Sequence, residues 1–579
     1  MVMKEQLRIL IENGKYEEAD VYLKRNITEE NYDDEIAVFD GTIGLYYGER
    51  QRVWDACANG LALAPDNYEL YVVLGEYYLE TNINQAYLCY ENALFYCNKN
   101  DDKEAIESII EELEQGGNVT VRKTSFVILS YNLLDYTKKC IESIRLTTSE
   151  RAREIVVVDN ASEDGSVEWL REQKDIVLVE NKENVGFPKG CNQGSCAANA
   201  NNDVFLLNND TMMVDNALFW LRMGLYENEN VGTTGSVTNY CVNMQQVAGH
   251  IRDVAMLQKY GRTNNVLVEY PYEEKLFLVG FALLIKRKVF DEVGFLDERF
   301  TPGNYEDNDY GVRVLNAGYK NVLCKNSFII HFGSKSFKKE MKKFIDVAAV
   351  NANKFKEKWG INPNYYFYPR RELIELIDEQ PEKSMNILDI GCGCGAMLGH
   401  IKGLYPSVKT YGIEIVENAA NFARCIADEV ICGDVEQVDF LWEDEIFDYV
   451  IMGDVLEHLR RPDVVLKRLR KHVKKGGHII VSMPNVKHYS VILPLLLKDE
   501  FRYSDAGILD TTHLKMYTAT EINKLIVESG YVIEVMNYTQ GRSPDEEENK
   551  ILEKLLSTLG VNNKETFLAY QYIVKAECS

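Results

Sequence analysis

Short apolar runs between residues 124 and 210 stop at polar side chains that could meet in one cleft. Phe126–Ser130 runs into Tyr131-Asn132, Glu154–Asp159 into Asn160-Ala161-Ser162, and Val204–Leu207 into Asn208-Asn209-Asp210. A carboxylate just after a strand, such as Asp159, can bind a base or ribose. The loop Asn184-Val185-Gly186-Phe187-Pro188-Lys189 has the glycine and the cation that suit a diphosphate. Asp210 offers oxygen to a divalent cation, and Glu306-Asp307 sets two carboxylates side by side. Each has a plainer reading. Asx-rich loops ordinarily close turns, and an acidic pair at a helix start is stabilised by the helix dipole.

A second group of residues begins at Asn386. The run Asn386–Ile390 ends in Gly391-Cys392-Gly393-Cys394-Gly395, a turn whose glycines let the backbone approach a ligand closely. That spacing alone also fits a dinucleotide-binding turn. Cys392 and Cys394 could pair on a metal, but further ligands at suitable spacing are missing. The neighbours narrow the choice: Glu414 ends a second strand 19 residues after Gly395, and Asp434 ends a third. Phe447–Ile451 then leads into Asp454-Val455-Leu456-Glu457-His458, and His513 follows in Thr512-His513-Leu514.

Two alternating strand-helix blocks must hold these residues, and such alternation predicts mostly parallel sheets with sites at the carboxyl ends of the strands. With 579 residues the chain is long enough for about three to five domains. We expect a helical domain over 1–117, an α/β domain over 118–336, a Lys- and aromatic-rich helical connector over 337–380 and a second α/β domain over 381–579. In the helical part, Pro65 is followed by Tyr71, Leu74, Gly75 and Tyr78, then Ala86, Tyr90 and Ala93. This order resembles the tetratricopeptide repeat. Ala19 and Ala86 are 67 residues apart, one short of two periods of about 34. An ordinary helical bundle is the competing reading.

Composition removes several classes. With 46% hydrophobic residues and only 12 prolines the chain can bury several cores and is not disordered. Its 64 basic and 90 acidic side chains leave a net charge of −26, which repels phosphate backbones and anionic lipid at long range. We therefore expect no nucleic-acid partner. The 13 scattered cysteines lack a disulfide framework and read as reduced thiols. No run approaches the roughly 20 apolar residues of a membrane span, and residues 1–11 have no signal-peptide core. The expected compartment is the cytoplasm.

The order of motifs in the first block, closed by Gly280-Phe281-Ala282, Val289–Phe300, Tyr305–Tyr310, Arg313 and His331, resembles the inverting glycosyltransferases of family 2, particularly their rhamnosyltransferase-like branch. The resemblance implies a GT-A nucleotide-sugar fold, with Tyr131, Asn132, Asp159, Asn184, Gly186, Lys189 and Asn209 around the nucleotide sugar. It makes Asp159 the base contact, Asp307 the general base with Glu306 beside it, and Asp210, helped by His331, the ligand of a divalent cation (Mg or Mn). The chain departs from the family's Asp-X-Asp metal motif by reading Asn208-Asn209-Asp210. The second block resembles the class I S-adenosylmethionine methyltransferases, with a Rossmann-like fold. That resemblance assigns Asp389, Gly391, Gly393 and Gly395 to the methionine and ribose portion of S-adenosylmethionine, Glu414 to the ribose hydroxyls and Asp434 to the adenine amine. Residues 482–518 resemble the acceptor side of ubiquinone-biosynthesis O-methyltransferases, where His513 and His458 are the candidate bases. Together these imply a bifunctional enzyme with a nucleotide-sugar donor such as dTDP-rhamnose and a glycan or glycoprotein acceptor such as flagellin. The helical repeats would serve a protein partner. Lipid-linked polysaccharide assembly and a non-catalytic scaffold are the rival readings.

Overall fold

The computed structural model describes residues 2–241, 244–333 and 341–579. The chain divides into two compact units, Met1–Lys358 and Trp359–Ser579. The expected domain boundary at 336/337 lies outside the described residues.

The first unit opens with helices α1 (Val2–Glu12), α2 (Tyr16–Asn26), α3 (Asp34–Tyr47), α4 (Arg50–Leu63), α5 (Tyr68–Leu79), α6 (Ile83–Tyr96) and α7 (Asn100–Gln115). Side-chain caps start three of them: Asp33 accepts from Ile36 N, Asn67 from Glu69 N, and Asn82 from Asn84 N and Gln85 N. Helices α5 and α6 pair closely because position 75 has no side chain. A Cβ on Gly75 would stand 2.8 Å from the Tyr90 ring.

Ten strands follow in this unit: β1 (Thr124–Ser130), β2 (Arg153–Asp159), β3 (Ile176–Glu180), β4 (Asp203–Asn208), β5 (Thr211–Met212), β6 (Val231–Val237), β7 (Tyr272–Lys275), β8 (Ala282–Ile285), β9 (Lys320–Phe328) and β10 (Ile330–His331). Eight form one sheet in the order β3-β2-β1-β4-β8-β6-β9-β7, and β10 pairs with β5. The β3-β2-β1-β4 half is parallel, and β8 and β7 enter the other half antiparallel. The strands after β1 diverge to its two sides, so the loops following β1 and β4 flank a switch point where α/β sheets hold ligands.

Helix Ala217–Leu225 joins the helical region to this sheet, and all of its residues are buried. A helix apolar on every face but that of Arg222 must be covered on every side. One apolar cluster runs from Tyr71 and Tyr90 through Phe219 and Trp220 to Phe126 and Phe205. Polar contacts fix the docking: Gln85 donates to Met223 O at 3.1 Å, and Asn82 donates to Tyr226 O and Glu227 O at 2.9 Å each. Arg222 forms an ion pair with Glu91 of α6, both buried.

The second unit carries β11 (Met385–Ile390), β12 (Val408–Glu414), β13 (Glu429–Cys432), β14 (Phe447–Gly453), β15 (Val473–Pro484), β16 (Tyr531–Thr539) and β17 (Gln571–Cys578). Their order is β13-β12-β11-β14-β15-β17-β16, with the first five parallel and β17 antiparallel to both neighbours. Here β11 is the switch point. Of the 337–380 stretch, helix Met341–Trp359 lies in the first unit up to Lys358, whereas the turns Pro363–Tyr366 and Arg371–Ile374 lie in the second.

Removing one partner of a buried ion pair leaves an uncompensated charge, at a cost of about 3–5 kcal/mol, whereas an apolar pair of similar volume is often neutral. Chemical denaturation of fragment 1–358 should therefore show Glu91→Ala destabilised by that amount and the double variant Glu91→Leu/Arg222→Met recovering most of the loss.

Candidate active sites

The first candidate site is assembled where β4 stops. The Asn208 amide donates to Phe281 O at 2.9 Å, just ahead of β8. The β5–β10 register sets His331 opposite Thr211. His331 Nε2 then lies 3.3 Å from Asp210 Oδ1, with both side chains buried. His331 Nδ1 faces Tyr240 O at 2.8 Å, and its ring stacks on Phe281 with centroids 5.1 Å apart. A proton on Nδ1, donated to that carbonyl, leaves the Nε2 lone pair beside a carboxylate. A cation held by both groups makes that arrangement favourable.

Asp307 reaches the same place from the other direction. The amide of Gly280, next to Phe281, donates to Asp307 Oδ2 at 3.1 Å, and Asn308 N donates to Oδ1 at 2.8 Å. Glu306 and Asp307 begin helix Glu306–Asn316. Glu306 is buried, and its Oε2 has no hydrogen-bond partner. Burial and the adjacent Asp307 charge push the Glu306 carboxyl well above its ordinary range, and burial raises Asp307 against the pull of its two amides. The loop before this helix is pinned by Asn351, which donates to Phe300 O at 2.7 Å, Gly303 O at 2.8 Å and Asn304 O at 3.3 Å. Sequence reasoning gave no role to Gly280, Phe281 or Asn351. A lone Asn in a Lys-rich helix carries no signal, whereas Gly280-Phe281 stood among the residues that carry the family resemblance, without a role of their own.

The other expected residues of this block line the strand ends. Asp159 is buried, and its two oxygens accept from Ser162 N at 2.8 Å and Ser162 Oγ at 2.6 Å. Ser162 Oγ also accepts from Asn132 N, and Asn132 Oδ1 accepts from Glu163 N. These bonds tie the loops after β1 and β2 together, with Tyr131 exposed beside them. Asn184 Oδ1 accepts from Gly186 N at 3.0 Å, and Phe187 N donates to Pro302 O at 2.9 Å, which holds this loop against the one preceding Glu306. Asn209 donates to Thr137 Oγ1 at 3.0 Å. Lys189 stands apart. It lines a cavity of about 640 Å³ with Asn192, Cys196, Phe295 and Glu298, which none of the other expected residues lines.

The second candidate site surrounds the turn after β11. Gly391, Gly393 and Gly395 have φ of 75°, 56° and 85°, left-handed values that side chains disfavour. Glu414, at the end of β12, accepts from Gly393 N at 2.9 Å and Val416 N at 2.8 Å. A carboxylate has about four acceptor sites, so Glu414 can hold this turn and still receive a ligand hydroxyl. Burial raises the Glu414 carboxyl, and burial with the Glu414 charge raises the buried Asp389 well above its ordinary range. Asp434 is half-buried and accepts from Glu436 N and Gln437 Nε2 at 2.9 Å each.

His458 and His513, which are 55 residues apart in the chain, meet edge to face with ring centroids 4.8 Å apart. Sequence reasoning missed Tyr365 and Tyr366 in the connector. A Cβ on Gly393 would lie 3.1 Å from Tyr366 Cδ1, and Tyr365 beside it is exposed. The aromatic run from Tyr365 to Tyr368 was the available signal. The thiols of Cys392 and Cys394 are buried and pushed up by burial, and neither belongs to the one metal-compatible group of three or more His, Cys, Asp or Glu side chains found among the described residues.

Each α/β unit thus gathers polar groups at the strand ends beside a switch point, where sheets of this kind hold ligands. Residues 125–294 match the family described as glycosyl transferase family 2, and residues 365–534 match a methyltransferase domain family. The chain thus joins a GT-A glycosyltransferase family 2 domain, preceded by helices, to a Rossmann-like methyltransferase domain.

Among curated relatives, an uncharacterised 37.1 kDa protein of a Streptomyces fradiae transposon is 30% identical over 28% of this chain and 47% of its own length. The ubiquinone biosynthesis O-methyltransferase of Paraburkholderia xenovorans is 29% identical over 26% of this chain and 65% of its own length. The chain thus spans less than two thirds of either relative. Solved structures similar to parts of the chain include a methyltransferase from Bacillus halodurans, at 18% identity and TM-score 0.26 over 36% of this chain and 99% of that one. A mannosyltransferase from Pyrobaculum calidifontis, solved with GDP-Man and Mn2+, is 16% identical, with TM-score 0.28 over 37% of this chain and 58% of that one.

The buried carboxyl of Glu306 makes stability depend on pH. Its value in the folded protein lies above the ordinary value of about 4.5, so its contribution is complete below about pH 4.5 and is lost as pH rises through the folded value. Glu306→Gln should therefore raise the thermal midpoint of fragment 1–358 at pH 8 and leave it nearly unchanged at pH 4. A gap between variant and parent that does not widen with pH would contradict this.

Proposed function

We propose that the first unit transfers a sugar from a nucleotide donor to a glycan or glycoprotein acceptor with inversion, and that the second O-methylates the glycan using S-adenosylmethionine. The observation that carries the first half is the meeting of Asp307 and the Asp210–His331 pair on the two sides of Gly280-Phe281. A carboxyl raised by burial is a better proton acceptor near neutral pH than an exposed one, so Asp307 takes the acceptor hydroxyl's proton as that oxygen attacks the anomeric carbon. Asp210 and His331 would hold a divalent cation, Mg or Mn, which neutralises the departing diphosphate. Asp159, Asn132, Tyr131, Asn184 and Gly186 form the donor side.

For the second half, the three left-handed glycines and Glu414 carry the reading. Glycine-only backbone next to a buried carboxylate suits a ribose with two hydroxyls and the methionine chain attached to it, with Asp434 at the adenine. The sugar proposed is rhamnose and the acceptor a surface protein such as flagellin. The sugar rests on the resemblance of the Gly280–His331 segment to the rhamnosyltransferase-like branch, and the acceptor on the pairing of the two activities with a helical domain. The docked helices α1–α7 would hold a protein acceptor or a partner enzyme. No helix among the described residues is long and apolar enough to cross a membrane, and we place both reactions in the cytoplasm, where soluble donors are made.

Two substitutions test the two halves. Asp307→Asn keeps the shape but cannot accept the proton, so sugar transfer from the nucleotide donor should fall at least about a hundredfold while donor binding by calorimetry is retained. Substantial transfer by that variant would remove Asp307 as the base. Glu414→Ala should weaken S-adenosylmethionine binding roughly 10–100-fold, equivalent to a charged hydrogen bond of about 1.5–3 kcal/mol. Equal affinity in a variant shown to be folded would take Glu414 out of the cofactor site.

A further inference from the structure

The turn Leu456–His458 follows β14, and the segment carrying His513 is fastened to it: the amides of Leu514 and Lys515 donate to Glu457 O at 2.9 and 3.0 Å. A carboxylate oxygen of Glu457 and one ring nitrogen each of His458 and His513 lie within 4.8 Å of one another. Two further observations set this trio apart from a chance meeting of polar side chains. Glu457 is 1% exposed, yet neither of its carboxylate oxygens has a hydrogen-bond partner. Burying such a group without compensation is costly, and Arg370, the nearby cation, is committed to Asp454 and Glu372. Each imidazole, moreover, is held through its Nδ1. His458 Nδ1 lies 3.3 Å from Thr512 O and His513 Nδ1 lies 2.9 Å from Ile508 O. An Nδ1–H donated to a carbonyl fixes the tautomer with its lone pair on Nε2, the orientation that metal-ligating histidines ordinarily receive from their surroundings.

We propose that Glu457, His458 and His513 form a binding site for a divalent transition-metal ion in the methyltransferase unit, separate from the Asp210–His331 pair of the first unit. Two imidazole nitrogens and one carboxylate oxygen suit a borderline ion such as Zn2+, Mn2+, Co2+ or Ni2+ better than Mg2+, which prefers oxygen throughout. Three protein ligands leave positions for substrate oxygen, as in catalytic rather than structural sites.

The chemical consequence rests on the methyl-transfer reading given above. Imidazole can take the proton of a sugar hydroxyl only as the new bond forms, whereas an oxygen bound to a divalent ion loses its proton much more easily and ahead of attack. The acceptor hydroxyl, held by the ion, would release its proton to solvent. Its oxygen pair forms the bond to the methyl carbon of S-adenosylmethionine, and the carbon–sulfur pair returns to sulfur, leaving a methyl ether and S-adenosylhomocysteine. A neighbouring pair of hydroxyls on one sugar ring is the acceptor that best fills two open positions. His458 and His513 then act as ligands and not as the proton acceptors expected from the sequence.

Full-length protein freed of metal by a chelator and titrated with Co2+ provides the test, with Asp210→Ala as background to remove the other candidate site. We expect one equivalent of Co2+ to bind, with visible absorption from nitrogen ligation. Glu457→Gln and His513→Asn, each made in that background, should weaken binding more than about tenfold. S-adenosylmethionine affinity, measured on the same samples, should change less than about twofold between background and variants, which shows the unit still folded. No Co2+ binding in the background, or unchanged Co2+ affinity in both variants, overturns the metal site. Failure of the parent protein to bind S-adenosylmethionine overturns the methyl-transfer reading instead, whatever Co2+ does.

Discussion

Carboxyl groups held away from water set the terms for both α/β units. Glu306, Asp307, Asp389, Glu414 and Glu457 all have raised carboxyl pKa values, and burial is the first cause in each case. Each desolvated acid must find amides, a proton or a cation. The protein answers differently at each position. Asp307 takes the amides of Gly280 and Asn308, and Glu414 those of Gly393 and Val416. Glu306 and Glu457 keep oxygens with no partner at all. A chain with 90 acidic side chains has ample water-exposed positions for carboxylates, so acids retained in the interior mark where chemistry is concentrated.

The sheets explain how these acids converge. In each unit the strand order reverses at one central strand, β1 or β11, and the loops leaving it and its neighbour open onto one crevice. Asp210 follows β4, beside β1, and Asp454–His458 follows β14, beside β11. Segments far along the chain then close each crevice from above. His331 is delivered by the two-residue pairing of β10 with β5, and His513 by the amides of Leu514 and Lys515 on Glu457 O. Both imidazoles donate or face through Nδ1 to a backbone carbonyl, which leaves Nε2 as the working atom in each crevice.

The helices α1–α7 are bound to the glycosyltransferase sheet by the same mixture of apolar burial and a buried charge. Helix Ala217–Leu225 has the sheet on one side and α6 on another, and Arg222 pairs with Glu91 inside that contact. Its position next to β6 and β9, the strands that lead to His331, makes the helical region part of the scaffold as well as a surface for partners.

Local sequence determined a great deal. The strands at Phe126, Glu154 and Val204, the glycine turn at 391–395 and the helical opening were legible because apolar runs, glycine spacing and turn residues act over a few residues. So was the order of motifs that resembles two transferase families. Only the tertiary structure decided which distant side chains meet: Gly280 with Asp307, Phe281 with His331, Asn351 with the loop at 300–304, and Glu457 with His513. It also turned Lys189 toward a cavity that the other expected residues do not line and set Tyr366 close to Gly393. These outcomes depend on register, crossover and docking, which are set by the packing of whole elements against one another. A residue's own neighbours in the chain carry no record of them.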